Sequence, residues 1–222
     1  WMKKVAVALV CLLPLGLQAA KVDTLQVKSP SMNKSIEVVV VSPDMAATEA
    51  CPVIYLLHGY GGNARTWVGI KPDLPKIADE KGIFFVCPDG KNTWYWDSPL
   101  NADVRYETFI SDELVKYVDS HYKTVADRKG RAITGLSMGG HGAMWNGLHH
   151  SDVFSAAGST SGGVDIRPFP KNWEMSVQIG EKAQYPENWE KYTVINLVPT
   201  LRKDQIALIF DCGDSDFFLE VN

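Results

Sequence analysis

Three short segments of this chain hold residue types, at spacings, that could carry out acyl transfer. The first is Ile133-Thr134-Gly135-Leu136-Ser137-Met138-Gly139-Gly140-His141-Gly142-Ala143, where Gly-x-Ser-x-Gly lies between an apolar run and a helix-forming stretch. A serine on a sharp strand-to-helix turn is held in a strained conformation, and glycines two residues before and after it leave room for close backbone approach. The N–H groups opening the next helix would then face negative charge developing on a substrate oxygen. The second segment is His58-Gly59-Tyr60-Gly61-Gly62. It follows another apolar run, where such a turn can complete an oxyanion hole, and the expected donors are the backbone N–H groups of Tyr60 and Met138. A phosphate-cradling loop is the alternative, but the Gly-Lys-Ser/Thr ending is missing and no helix is expected directly after it. The third segment, Gly213-Asp214-Ser215-Asp216, offers a carboxylate to orient a base. Asp216 is the expected acid, with Asp214 and Asp211 as alternatives and a solvated acidic turn as the purely structural reading.

A serine nucleophile also needs a base. The chain has five histidines, His58, His121, His141, His149 and His150, and all of them precede Asp216. In the order Ser, Asp, His the base lies downstream of the acid, so the expectation is a C-terminally truncated portion of a longer enzyme. The adjacent pair His149-His150 is no metal motif, since neighbouring helical residues point to different faces. Neither a metal nor any other cofactor is expected.

These segments need elements that bring them to one edge. Thr24 to Val27 and Ser35 to Ser42 read as an opening hairpin, and Val53 to Leu57, Ile83 to Cys87, Ala132 to Leu136 and Ile206 to Phe210 read as strands buried on both faces. Helical spacing runs from Leu74 to Lys81 and from Phe109 to Tyr122. The alternation predicts an α/β fold with a doubly wound, mostly parallel sheet, whose loops at the strand ends gather on one edge. The stretch from Asp165 to Thr200, rich in Pro, Trp and Glu, reads as an irregular excursion. Trp94, Tyr95 and Trp96 follow a strand end and are expected to line the substrate site, with packing as the alternative.

Residues 2 to 20 open with Met-Lys-Lys, continue with the apolar run Val5 to Gly16 and end on small residues, the pattern of a secretory signal peptide. The expected organisation is therefore a signal at 1–20 and one domain at 21–222, in a secreted or periplasmic protein without stable membrane insertion. With 222 residues, 45% hydrophobic and 22% charged, the chain has apolar material for a full core, which excludes a disordered or collagen-like protein. A net charge of −4 without a basic stripe argues against a nucleic-acid partner. Beyond the signal remain Cys51, Cys87 and Cys212, without metal-ligand spacing and expected as buried thiols rather than a disulfide framework, with one disulfide plus one free thiol as the alternative.

The segments Leu56-Leu57-His58-Gly59-Tyr60-Gly61-Gly62, Val86-Cys87-Pro88-Asp89-Gly90, Trp94-Tyr95-Trp96-Asp97-Ser98-Pro99, Phe109-Ile110-x-x-Glu113-Leu114 and Gly135-Leu136-Ser137-Met138-Gly139-Gly140 follow one another as in a known family. Over about residues 35 to 222 the chain resembles the "Putative esterase" family, which holds esterase D (S-formylglutathione hydrolase), tributyrin esterases, feruloyl and acetyl-xylan esterases and mycolyltransferases. The resemblance implies an α/β-hydrolase fold, expected here without its last helix and strand. It also implies hydrolysis of short-chain or carbohydrate-linked esters, with Ser137 as nucleophile, Asp216 as acid and Tyr60 and Met138 as oxyanion donors. Acyl transfer to a carbohydrate, as in the mycolyltransferases, and a non-catalytic binding role on the same fold are the competing expectations.

Overall fold

Val38 to Val41 have no polar face, which suits a strand covered on both sides, and all four are fully buried. They belong to a seven-stranded sheet in a computed structural model that describes residues 20–222. The expected signal peptide lies, apart from Ala20, outside the described residues.

In chain order, strands β1 (Lys21–Ser29) and β2 (Lys34–Ser42) form the antiparallel hairpin and β3 (Val53–Leu57) follows. Next come helices α1 (Thr66–Ile70) and α2 (Leu74–Lys81) and strand β4 (Phe84–Pro88). A helical stretch then runs through α3 (Tyr106–Thr108), a π-helical turn at Phe109–Glu113 and α4 (Leu114–His121). Strand β5 (Arg131–Gly135), helix α5 (Met138–His149) and strand β6 (Ala156–Thr160) come next. The described chain is completed by α6 (Met175–Ile179), α7 (Pro186–Lys191) and β7 (Ala207–Asp211). The strand order is β1-β2-β4-β3-β5-β6-β7, with β4, β3, β5, β6 and β7 mutually parallel. The expected α/β architecture is therefore present.

Each face of the sheet has its own apolar layer. Tyr55, Leu57, Val86 and Ile133 pack with Phe109, Leu114 and Trp145 from the helices on one face. Val39, Val41, Leu56 and Phe85 meet Leu74 and Ala78 of α2 on the other. The π-helical turn does local work: Glu113 accepts the Ser29 hydroxyl at 2.6 Å and the Ser31 N–H at 2.7 Å, tying the hairpin to the helix.

Two expectations about elements need amendment. Strand β6 reads Ala-Ala-Gly-Ser-Thr and lacks the bulky β-branched residues that signal a strand. Small residues are required there, because a Cβ on Gly147 of α5 would lie 2.5 Å from Ala157 Cβ, and one on Gly158 would lie 2.5 Å from Thr134 Oγ1. The excursion from Asp165 to Thr200 holds the two short helices α6 and α7, closed by the Trp189 indole N–H donating to the Gly180 carbonyl at 2.9 Å. Cys51, Cys87 and Cys212 are all free thiols, the first two buried.

Candidate active site

Ser137 sits between β5 and α5 with φ +52° and ψ −123°, a backbone conformation that a side-chain-bearing residue rarely adopts. The turn is held by its surroundings. The Ser137 N–H donates to the Thr160 carbonyl at 2.9 Å, and the Gly139 N–H to the Leu136 carbonyl at 2.8 Å. A Cβ on Gly135 would lie 2.4 Å from the Gly139 carbonyl carbon, and one on Gly139 would lie 2.2 Å from the Leu57 carbonyl oxygen. The two glycines therefore let β5, α5 and the end of β3 close together, as the sequence pattern requires.

The His58–Gly62 loop leans on the same turn. A Cβ on Gly59 would meet Leu136 Cδ1 at 2.8 Å and Ser137 Cβ at 3.4 Å. From Gly59 the chain makes a β-turn, with the Gly62 N–H on the Gly59 carbonyl at 3.0 Å and Gly61 at φ +76° in the position where a type II turn favours glycine. Among the described residues neither the Tyr60 nor the Met138 backbone N–H has an intramolecular acceptor. Both expected oxyanion donors are thus open, Met138 heading its helix and Tyr60 one residue past the contact with Ser137.

The turn is anchored by three loops. His58 Nε2 accepts the Gly90 N–H at 2.9 Å, so the proton lies on Nδ1, which donates to the Gly59 carbonyl at 2.7 Å. The Tyr95 hydroxyl donates to the His58 carbonyl at 2.9 Å. Asn92 accepts the Gly61 N–H through Oδ1 at 2.9 Å and donates through Nδ2 to Glu174 Oε2 at 3.1 Å. Behind His58 stands Asp89, whose carboxyl burial would raise; the Lys91 ammonium at 2.6 Å and the Lys91 N–H at 2.9 Å outweigh that and hold it below the usual carboxylate range.

The expectation that Trp94, Tyr95 and Trp96 line the substrate site is corrected by their burial: they are 1%, 0% and 0% exposed. Their polar atoms point into the protein. Trp94 Nε1 donates to the Trp173 carbonyl at 3.0 Å and Trp96 Nε1 to His141 Nε2 at 3.2 Å. Tyr95 is wedged between the Pro88–Gly90 loop and α5, where a Cβ on Gly90 or Gly142 would come within 2.4 Å of its ring. Trp94 and Tyr95 carry positive φ, 58° and 60°, so local strain is spent on turning both rings inward. Tyr95 supports the His58–Gly62 turn through the His58 carbonyl, while Trp94 and Trp96 pack against His141. The one sign of this in sequence is the pair of glycines, Gly90 and Gly142, that the Tyr95 ring requires.

Asp216 follows β7, whose Asp211 lies opposite Thr160 of β6, and so reaches the edge of the sheet that carries Ser137. Its Oδ1 accepts the Phe218 N–H at 2.8 Å, while Oδ2 has no partner among the described residues. The alternatives are exposed: Asp214 accepts the adjacent Ser215 hydroxyl at 3.1 Å, and Asp211 takes a long contact of 3.4 Å from Thr160. Among the described residues no hydrogen bond joins Asp216 to Ser137.

None of the five histidines hydrogen-bonds Ser137. His141, a helical turn beyond it, is fully buried; its Nδ1–H donates to the Gly163 carbonyl at 3.1 Å, and burial drives its pKa down to about 4 against that bond. His150 is paired with Glu107 at 2.8 Å, which raises its pKa. His149 contacts the Trp145 carbonyl and His121 the Tyr117 carbonyl, each on its own helix. His58 is committed to the loop contacts described above.

Known proteins resemble the chain in sequence and in fold. An esterase of Mycobacterium tuberculosis is 30% identical over 149 residues, covering 64% of this chain and 32% of that protein. An acetyl esterase of Caldicellulosiruptor saccharolyticus is 31% identical over 108 residues, covering 48% of this chain and 40% of that protein. The chain thus spans about a third and two fifths of the length of these relatives. Among solved structures, a ferulic acid esterase superposes with a TM-score of 0.73 at 29% identity, over 91% of this chain and 82% of its own. The fold is that of the α/β-hydrolase esterases. With a family match that runs from residue 29 to residue 222, the chain belongs to the "Putative esterase" family.

Proposed function

We propose that the chain is the core of a serine carboxylesterase acting on short-chain or carbohydrate-linked esters. The observation that carries this reading is the Ser137 turn: a strained serine at the head of a helix, backed by glycine contacts, beside two unpaired backbone N–H groups. Ser137 Oγ attacks the ester carbonyl carbon and gives up its proton to a base. The carbonyl π electrons move to oxygen, where the Tyr60 and Met138 N–H groups hold the charge. Collapse expels the alcohol, protonated by the same base, and water then repeats the sequence on the acyl-serine to release the acid.

Asp216 is assigned to orient the base through its open Oδ2. Because the five histidines are engaged elsewhere, the reading takes the base from a longer chain than residues 20–222. The ferulic acid esterase and acetyl esterase likenesses support esters of plant-type or acetylated carbohydrate as the substrate class. Export is part of the proposal and rests on the charge and apolar pattern of residues 2 to 20. No helix among the described residues is long and apolar enough to cross a membrane.

Steady-state hydrolysis of methyl ferulate and p-nitrophenyl acetate by the full-length protein tests the reading. Turnover of at least one that disappears in Ser137→Ala is expected; turnover surviving in the variant would remove Ser137 from the mechanism.

A further inference from the structure

Among the described residues nine other than glycine hold a positive φ, and five of these lie in two loops that meet beside the oxyanion turn: Lys91, Trp94 and Tyr95 after β4, and Trp173 and Glu174 before α6. Such backbone is strained and persists only where its surroundings hold it. The two loops are tied by Trp94, whose Nε1–H donates to the Trp173 carbonyl at 3.0 Å. Asn92 stands within the first strained stretch, and Glu174 faces it from the second.

A carboxylate only accepts hydrogen bonds, whereas a side-chain amide has a donating and an accepting end. Glu174 Oε2 takes the Asn92 Nδ2–H at 3.1 Å, which leaves Asn92 Oδ1 for the Gly61 N–H at 2.9 Å. Turned by half a revolution, the same amide would set its Nδ2–H against the Gly61 N–H, two donors face to face. The Gly61 N–H belongs to the central peptide of the Gly59–Gly62 turn, the peptide that leaves Tyr60. Glu174 reaches Tyr60 as well: desolvation, and then this carboxylate, raise the Tyr60 phenol above its ordinary value.

Glu174 is exposed, yet the residues on both sides of it are fixed. Met175 is fully buried. Trp173 stacks on Phe217 with ring centroids 5.6 Å apart and packs on Phe218 at 5.2 Å. Phe217 directly follows Asp216, and the Phe218 N–H donates to Asp216 Oδ1 at 2.8 Å. Consecutive residues thus touch the loop of the acid and the bracing of the oxyanion turn.

We propose that Glu174 is a positioning residue for the oxyanion hole, setting the direction of the Asn92 amide and through it the Tyr60–Gly61 peptide. The inference rests on the esterase reading of Ser137, and the experiment keeps the two apart. Full-length parent and variants are compared in hydrolysis of p-nitrophenyl acetate and methyl ferulate, in inhibition by a trifluoromethyl ketone, which presents an oxyanion to the same donors, in thermal melts and in Gly61 amide exchange. Asn92→Asp sets two carboxylates against each other, and adding Glu174→Gln returns a donor to the pair. Glu174→Ala and Asn92→Asp are each expected to lower kcat about tenfold with KM within about twofold of the parent, a fraction of the effect of removing an oxyanion donor outright. The inhibition constant of the ketone should rise in step while Tm stays unchanged. The combined variant Asn92→Asp/Glu174→Gln is expected to recover kcat to within about threefold of the parent.

Parental kcat in Glu174→Ala overturns the proposal. So does a rise in KM alone, or a combined variant as slow as Asn92→Asp. A parent enzyme that turns over neither ester refutes the esterase reading instead, and Gly61 amide exchange, faster in Asn92→Asp and restored in the combined variant, still decides whether Glu174 and Asn92 hold the turn.

Discussion

The two ends of the site are built differently. Ser137 stands between β5 and α5 at the centre of the sheet, with buried Met138, Gly139 and Gly140 behind it and backbone contacts that forbid even a methyl group at Gly135 or Gly139. Asp216 follows β7, the last strand of the sheet among the described residues. Its loop is held largely through Phe218, which packs against Gly163, Phe169 and Trp173. Among the described residues Ser137 is thus positioned by the core, and Asp216 by the contacts of one loop. Preorganisation of the first follows from close packing; the second gains its place from the order of strands.

The comparison breaks first at the acid. Asp216→Asn is expected to lower kcat of the full-length enzyme on the order of 10⁴-fold while Asp214→Asn leaves it within about twofold; the opposite ranking would move the role to Asp214. On the nucleophile side the damage comes through the fold as well. Gly139→Ala must push the Leu57 carbonyl aside, and denaturant melts should show a loss of roughly 3 kcal/mol with activity abolished. A stable, active Gly139→Ala protein would mean that the turn is looser than its contacts imply.

A pH effect sharpens the same contrast. His141 has its pKa lowered to about 4 in the folded protein by burial, so the unfolded chain binds the proton first as pH falls. Its contribution to stability is complete above pH ~6.5, declines between ~6.5 and ~4, and costs up to about 3 kcal/mol in all. No charged side chain hydrogen-bonds the ring among the described residues: Trp94, Trp96 and the Gly163 carbonyl surround it. Stability measured across that interval should fall less steeply in His141→Gln; identical slopes would contradict a buried neutral imidazole.

Much of this contrast is legible in the residues themselves. Gly135, Ser137 and Gly139 announce a turn because no other residue types tolerate that packing, and the apolar runs of β3, β4 and β5 announce buried parallel strands. Strand β6 is hidden because its small residues answer to α5 rather than to strand propensity. The aromatic trio misleads for a related reason. Tryptophan and tyrosine after a strand end suit both a binding wall and a buried support, and the deciding facts are tertiary: Tyr95 on the His58 carbonyl and Trp96 on His141. The Asn92 bridge to Gly61 and Glu174 joins three loops distant in sequence, so periodicity carries no trace of it. Asp216 is found by chain order alone.

The central claim is that the fold presents Ser137 as an activated nucleophile. Intact-mass analysis of the full-length protein treated with a fluorophosphonate probe tests it most directly. The account predicts one adduct per chain, mapped by peptide sequencing to Ser137 and absent from Ser137→Ala; no adduct, or one carried by another residue, would contradict it.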